Sequence, residues 1–192
     1  MQLNKLSAMA MTLGVLSSTS VMADSGGTIT FVGEVLATTC NVTLDSSSSA
    51  DGTVSLPSAL LSDLDSDGKV AGETSFTLNL TGCVQPSHRS NPPIPFAYFS
   101  GGNSANRLDN IKTSNGATNV DIELLDSAKK IIKIGDVNQQ RTQAISILAP
   151  ITMTGNSGSG TGKLQYYARY KATGKATAGG VSSMVSYNIQ YK

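Results

Sequence analysis

Apolar and polar side chains alternate every second residue along most of this chain, and that period constrains its fold more than any other feature. Such alternation places one set of side chains on each face of an extended strand. Residues 28–36 (TITFVGEVL) put Ile29, Phe31, Gly33 and Val35 on one face, and residues 74–80 put Phe76, Leu78 and Leu80 together. Further strands are expected over 94–99, 119–125, 130–134, 143–149, 163–171 and 183–191, with a hairpin turn at Asp126-Ser127-Ala128-Lys129. Clusters of Gly, Ser, Asn and Pro separate them, at 45–52, 100–106, 113–118, 154–162 and 173–180. No stretch sustains a 3.6-residue period; only 57–69 (PSALLSDLDSDGK) offers room for a short helical turn. About eight strands with regularly spaced turn residues imply an all-β sandwich.

The first 23 residues stand apart from this pattern. Lys5 precedes a short apolar run, Leu6 to Leu16, and small residues lead to Ala23. That is the layout of a secretory signal peptide, cleaved after Ala23. The run is too short and too serine-rich for a comfortable membrane span, so no membrane insertion of the mature chain is expected. Removing it from the 192 residues leaves 169, enough for one domain, and takes the formal charge from +1 to zero. Neutrality, with charged residues at only 14%, gives no electrostatic basis for binding nucleic acid or an anionic membrane surface. The exported part holds two cysteines, Cys40 and Cys83. An even count in an exported chain reads first as a disulfide; two thiols and a single histidine make a poor metal set.

The expected first strand lies before Cys40 and hard against the mature N-terminus. Folded back it would be an ordinary first strand; donated outward it would complete the sheet of another molecule. Periodicity alone leaves both open.

Three stretches carry a resemblance to a known family. GTITFVGEVLATTCNV (27–42) resembles the donor strand and first cysteine of the chaperone–usher pilins, especially the type 1 fimbrial major-subunit family. The segment 54–83 is similar to that family's middle signature, with its V-x-L-P element, Gly68 and Gly72, and alternation running up to Cys83. Residues 166–192 resemble the family's A-R-Y-x-A-T-G segment and C-terminal strand, with a penultimate tyrosine at Tyr191. The resemblance implies an incomplete immunoglobulin-like sandwich (the pilin fold), comprising a donor extension at 24–36 and a pilin domain at 37–192. It implies a structural fimbrial subunit that polymerises by donor-strand exchange and supports adhesion, exported through the periplasm to the cell surface. Its implied partners are neighbouring pilin subunits in a homopolymer, a periplasmic chaperone and an outer-membrane usher. Ile29, Phe31 and Val35 would be the inserted side chains, with Gly33 where the groove is shallow. Val185, Tyr187, Ile189 and Tyr191 would line the acceptor groove edge, and the Lys192 carboxylate would anchor the chaperone. The alternative within the family is a minor or adaptor pilin, or a single-domain carbohydrate-binding subunit; a two-domain tip adhesin would need a longer chain.

Other motifs give no assembled site. Asp63, Asp65, Asp67 and Gly68 open like a calcium loop, but Thr74 stands where the twelfth-position glutamate belongs. His88 lies in a polar Pro-rich loop, and no nucleophile-elbow pattern surrounds any serine. Gly155 to Gly162 lacks the lysine–serine/threonine continuation of a phosphate loop. The sequons at Asn41 and Asn79 are what Thr-rich strands generate by chance. The tyrosines at 166, 167, 170, 187 and 191 read as core and groove packing rather than a carbohydrate platform. No catalytic residue, metal ligand or cofactor is expected.

Overall fold

A computed structural model describes residues 40–45, 47–84, 94–139, 152–154 and 159–191, all within one unit spanning Val35–Lys192. The proposed signal peptide, Ile29, Phe31, Gly33, Val35, the expected strand at 143–149, His88 and Lys192 lie outside the described residues.

Nine strands form among the described residues: β1 Asn41–Leu44, β2 Val70–Val84, β3 Pro95–Ser100, β4 Leu108–Asp109, β5 Val120–Leu125, β6 Ile131–Ile132, β7 Thr152–Thr154, β8 Ser159–Ala172 and β9 Ser186–Tyr191. The larger sheet runs β1-β2-β8-β5-β4, with β6 attached to β5 and β7 to β8, and every pairing is antiparallel. The smaller sheet is β3-β9. The hairpin expected at 126–129 joins β5 to β6. There Asp126 accepts bonds from the Ala128 and Lys130 N–H groups through its side chain, tightening the turn.

The core lies between the two sheets, on the faces that the alternation marks. Phe76, Leu78 and Leu80 of β2 are buried with Leu164, Tyr166 and Ala168 of β8 and Ile122 and Leu124 of β5. Ala97 and Phe99 of β3 close onto them from the smaller sheet. Phe99 meets Tyr166 edge-on at 5.1 Å between ring centroids and Phe76 at 6.5 Å, geometry that suits the ring quadrupoles. The opposite face of the larger sheet carries charge. Glu123, buried beneath it, accepts from both Nε and an Nη of Arg169, and Asp121 pairs with Arg107 at 2.9 Å. A carboxylate this buried is tolerable only with such charge-assisted bonds.

The helical turn expected within 57–69 appears as a single 3-10 turn over Leu61–Leu64. Its Leu64 packs beneath with Val120, Ala172 and Ala176, a second small core at the end of the sheet where β2 begins and β8 ends. Asp63, Asp65 and Asp67 stay exposed on that turn.

The disulfide Cys40–Cys83 ties the chain entering β1 to the end of β2, enclosing a separation of 43 residues. In the chain-entropy view this cross-link stabilises the fold by about 4 kcal/mol. Two register shifts interrupt the β2–β8 ladder, one between Ala71 and Thr74 and one between Leu80 and Cys83. At the first, Gly72 has φ +66°, and a Cβ there would stand 2.7 Å from the Tyr170 ring. Both the backbone and the space require glycine at this bulge. Gly68 has φ +90° but open space around it. Gly72→Ala should therefore lower stability by about 2 kcal/mol and Gly68→Ala by about 1 kcal/mol, as read from urea unfolding; equal losses would show that the Tyr170 contact is immaterial.

Candidate functional site: an open strand edge and its groove

The two edges of the small sheet are treated differently. Along β3, the Ala97 N–H donates to the Tyr166 hydroxyl at 2.9 Å and the Phe99 N–H to the Gln139 side-chain oxygen at 3.0 Å. The Gln139 amide nitrogen and the Gly135 N–H both donate to the Phe99 carbonyl. These groups point away from β9, so Ala97↔Ile189 and Phe99↔Tyr187 are the non-hydrogen-bonded pairs of the ladder. Pro95, opposite Tyr191, shares their parity, and its missing N–H costs the ladder nothing.

It follows that the main-chain groups of Tyr187, Ile189 and Tyr191 also point away from β3. They face the outer edge of β9, and among the described residues β3 is the only strand paired with β9. Side chains have closed the outer edge of β3. The outer edge of β9 presents a row of donors and acceptors.

A groove of about 880 Å³ meets this edge at its Tyr187 end. The segment 50–56 forms one flank and residues 181–187 the other; Phe76, Leu78, Phe99, Ile122 and Leu124 form an apolar floor. The four residues expected at the groove edge are all half-buried and packed against the main core: Val185, Tyr187, Ile189 and Tyr191. Ser186, Asn188 and Gln190, between them, are exposed. Strand β9 starts at Ser186, later than the expected 183, so Val185 sits just before it. The Tyr187 hydroxyl bridges the flanks, donating to the Ala50 carbonyl at 2.8 Å. Outside the groove, the Cys40 backbone N–H bonds to the Tyr191 hydroxyl.

Burial raises the pKa of the phenols at 170, 187 and 191; for Tyr187 the charge of Asp51 adds to this, and for Tyr191 the bond from Cys40 opposes it. Tyr166 is pushed up to about 12 by burial, against the bond from Ala97 and with help from the Asp126 charge.

The 50–56 flank, Gln139 and the hydroxyl role of Tyr166 are the parts of the site that sequence reasoning missed. Only the V-x-L-P element at 54–57 hinted at the flank. Gln139 sits in a polar stretch with nothing to distinguish it from a surface residue. Among the described residues, no group of three His, Cys, Asp or Glu side chains is placed to hold a metal ion.

A two-sheet β-sandwich whose last strand has, among the described residues, an open edge beside an apolar groove defines an incomplete immunoglobulin-like subunit. The chain belongs to the fimbrial protein family, whose model matches residues 29–192. It is 37% identical to the F17 fimbrial protein of Escherichia coli, over 94% of this chain and 96% of that protein. A major fimbrial subunit of Stenotrophomonas maltophilia is 36% identical, over 86% of this chain and 92% of its own. Among solved structures, a chaperone–usher pilus subunit matches with TM-score 0.53 and 18% identity, over 91% of this chain and all of that one. The P pilus rod subunit PapA matches with TM-score 0.51 and 18% identity, over 80% and 99%. The protein is thus a structural subunit of a fimbria, assembled with neighbouring pilins at the cell surface after export through the periplasm. The adaptor or carbohydrate-binding alternative finds no support in these relationships.

Removing the Gln139 amide would strand the buried N–H of Phe99 and leave its carbonyl with the Gly135 N–H alone. Gln139→Met should cost about 1–3 kcal/mol, measured by chemical denaturation; an unchanged midpoint would mean the β3 edge does not depend on it. The phenols give a pH signature. A tyrosine whose folded pKa stands above its unfolded value holds its proton more tightly in the fold. Stability is then full below about pH 10 and falls as pH rises toward 12. Tyr166→Phe should flatten that alkaline fall, and a profile identical to the parent would contradict the assignment.

Proposed function

We propose that the groove beside β9 receives residues 28–36 of a neighbouring copy, so that each subunit completes the next. The observation that carries this reading is the outward row of backbone groups at Tyr187, Ile189 and Tyr191, without a strand partner among the described residues, leading into an apolar groove that Tyr187 lines. A strand laid there gains main-chain bonds along its length and places alternate side chains into the groove. Ile29, Phe31 and Val35 supply those side chains, and Gly33 passes where depth is least. Burying three large side chains contributes about 1.5–3 kcal/mol each, and each new backbone bond adds about 1 kcal/mol net. A subunit joined this way leaves the fibre very slowly.

Direction follows from where the chain leaves its own domain. Cys40 lies against Tyr191, at the C-terminal end of β9, so the extension of each subunit departs from that end. A strand entering antiparallel to β9 reaches its own domain at the opposite end, near Val185. Incoming and outgoing neighbours then sit at opposite ends, and the contact repeats head to tail without closing. Parallel entry would crowd both neighbours onto one end.

In this reading the chain is the major shaft subunit; two relatives are named major fimbrial subunits. Its first 23 residues direct export. A periplasmic chaperone covers the groove before assembly, anchored by the Lys192 carboxylate, and an outer-membrane usher exchanges it for the next subunit. The protein has no catalytic role.

Deleting residues 24–35 should abolish surface fibres seen by negative-stain microscopy, while periplasmic protein persists. Phe31→Asp should do the same through one side chain. Fibres of normal number and length from the deleted chain would rule out strand donation by this segment.

A further inference from the structure

We propose that the domain of each incoming subunit seats directly on the far end of the acceptor domain, against Leu60, Ile111 and Met184, so that strand insertion is accompanied by contact between folded domains. The proposal rests on the antiparallel strand insertion described above and concerns what lies beyond the inserted strand.

Two observations support it. The first is the distribution of exposed apolar side chains. Among the described residues eight large ones are exposed, and five of them, Leu60, Leu61, Val70, Ile111 and Met184, belong to the end of the domain where the groove opens past Val185. Leu60 and Leu61 lie at the 3-10 turn whose Leu64 covers the sheet end at Val120 and Ala172. Ile111 is held there by its N–H bond to the Ser182 carbonyl at 2.8 Å, two residues before Met184, which itself lines the groove. Met184 is 77% exposed and Leu60 70%, more than an isolated soluble domain gains by displaying together.

The second is covalent reach. In the incoming copy Val35 and Cys40 are five residues apart, so its domain begins within about 18 Å of the groove exit. The surface nearest that tether is the disulfide end, where Val84, next to the buried Cys83, is exposed. One end of the molecule thus offers apolar side chains to the other end of its neighbour, the arrangement a head-to-tail contact needs. The tether holds the surfaces at a high effective concentration, so a small patch suffices.

The test uses fibres collected from cells making the full chain with a benzophenone side chain at position 184, irradiated and then denatured. The expected product is a ladder of cross-linked subunits whose attachment maps to residues 40–45 or 82–84, several-fold above that from a probe at Ile131 on β6. A companion probe at Ile189 should attach to residues 28–36. If position 184 blocks assembly, probes at 60 and 111 are expected to give the same attachment. Cross-links from 189 without subunit-to-subunit products from 184, 111 or 60, or with attachment elsewhere, would overturn domain seating and leave strand insertion standing. Intact fibres with no cross-link from 189 to residues 28–36 would overturn strand insertion itself, and this proposal with it.

Discussion

A strand at the margin of a sheet leaves half of its backbone groups pointing where no ladder continues, and the fold must either cap them, hydrate them or lend them to another chain. The small sheet here shows the first solution on one strand and an uncapped row, among the described residues, on the other. On β3 the outward groups of Ala97 and Phe99 are bonded by Tyr166 and Gln139, side chains delivered from the larger sheet and from the loop after β6. On β9 the equivalent groups of Tyr187, Ile189 and Tyr191 have no strand partner among the described residues, and Tyr187 lines a groove floored by the core itself. The proposed strand insertion rests on that asymmetry.

The rest of the structure holds the open edge in place. The aromatic contacts among Phe76, Phe99 and Tyr166 fix the small sheet over the large one, and Phe99 also meets the Tyr187 ring at 6.3 Å. The disulfide secures the start of β1 beside β2, and Tyr191 touches the same point through its hydroxyl. The bulge at Gly72 lets β2 pass Tyr170, another residue lining the groove. These contacts brace the sandwich around the groove and hold β9 over the core.

Much of this was legible in the sequence because period-two alternation reports burial directly. Phe76, Leu78 and Leu80, the β5–β6 hairpin and the half-buried Val185, Tyr187, Ile189 and Tyr191 all stand where the pattern puts them. The turn at 61–64 was readable from its composition. What the pattern could not show has a common cause: it depends on single polar groups meeting at long range. Gln139 reaches Phe99 across 40 residues and Tyr187 reaches Ala50 across 137, and neither bond leaves a periodic trace. The 50–56 flank joins no ladder among the described residues, and its alternation is confined to Val54 and Leu56, too short to mark a strand. The Asn79 of a formal sequon turns out to donate its amide to the Asp45 carbonyl, a local tie between β2 and the end of β1.

Residue-resolved amide hydrogen exchange on assembled fibres tests the open edge of β9 most directly. The amides of Ser186, Asn188 and Gln190 face β3 and should be protected whatever the assembly state. In fibres the amides of Tyr187, Ile189 and Tyr191 should be protected as strongly, because a neighbour's strand takes them up. Fast exchange at 187, 189 and 191 in intact fibres, with 188 and 190 slow, would contradict it.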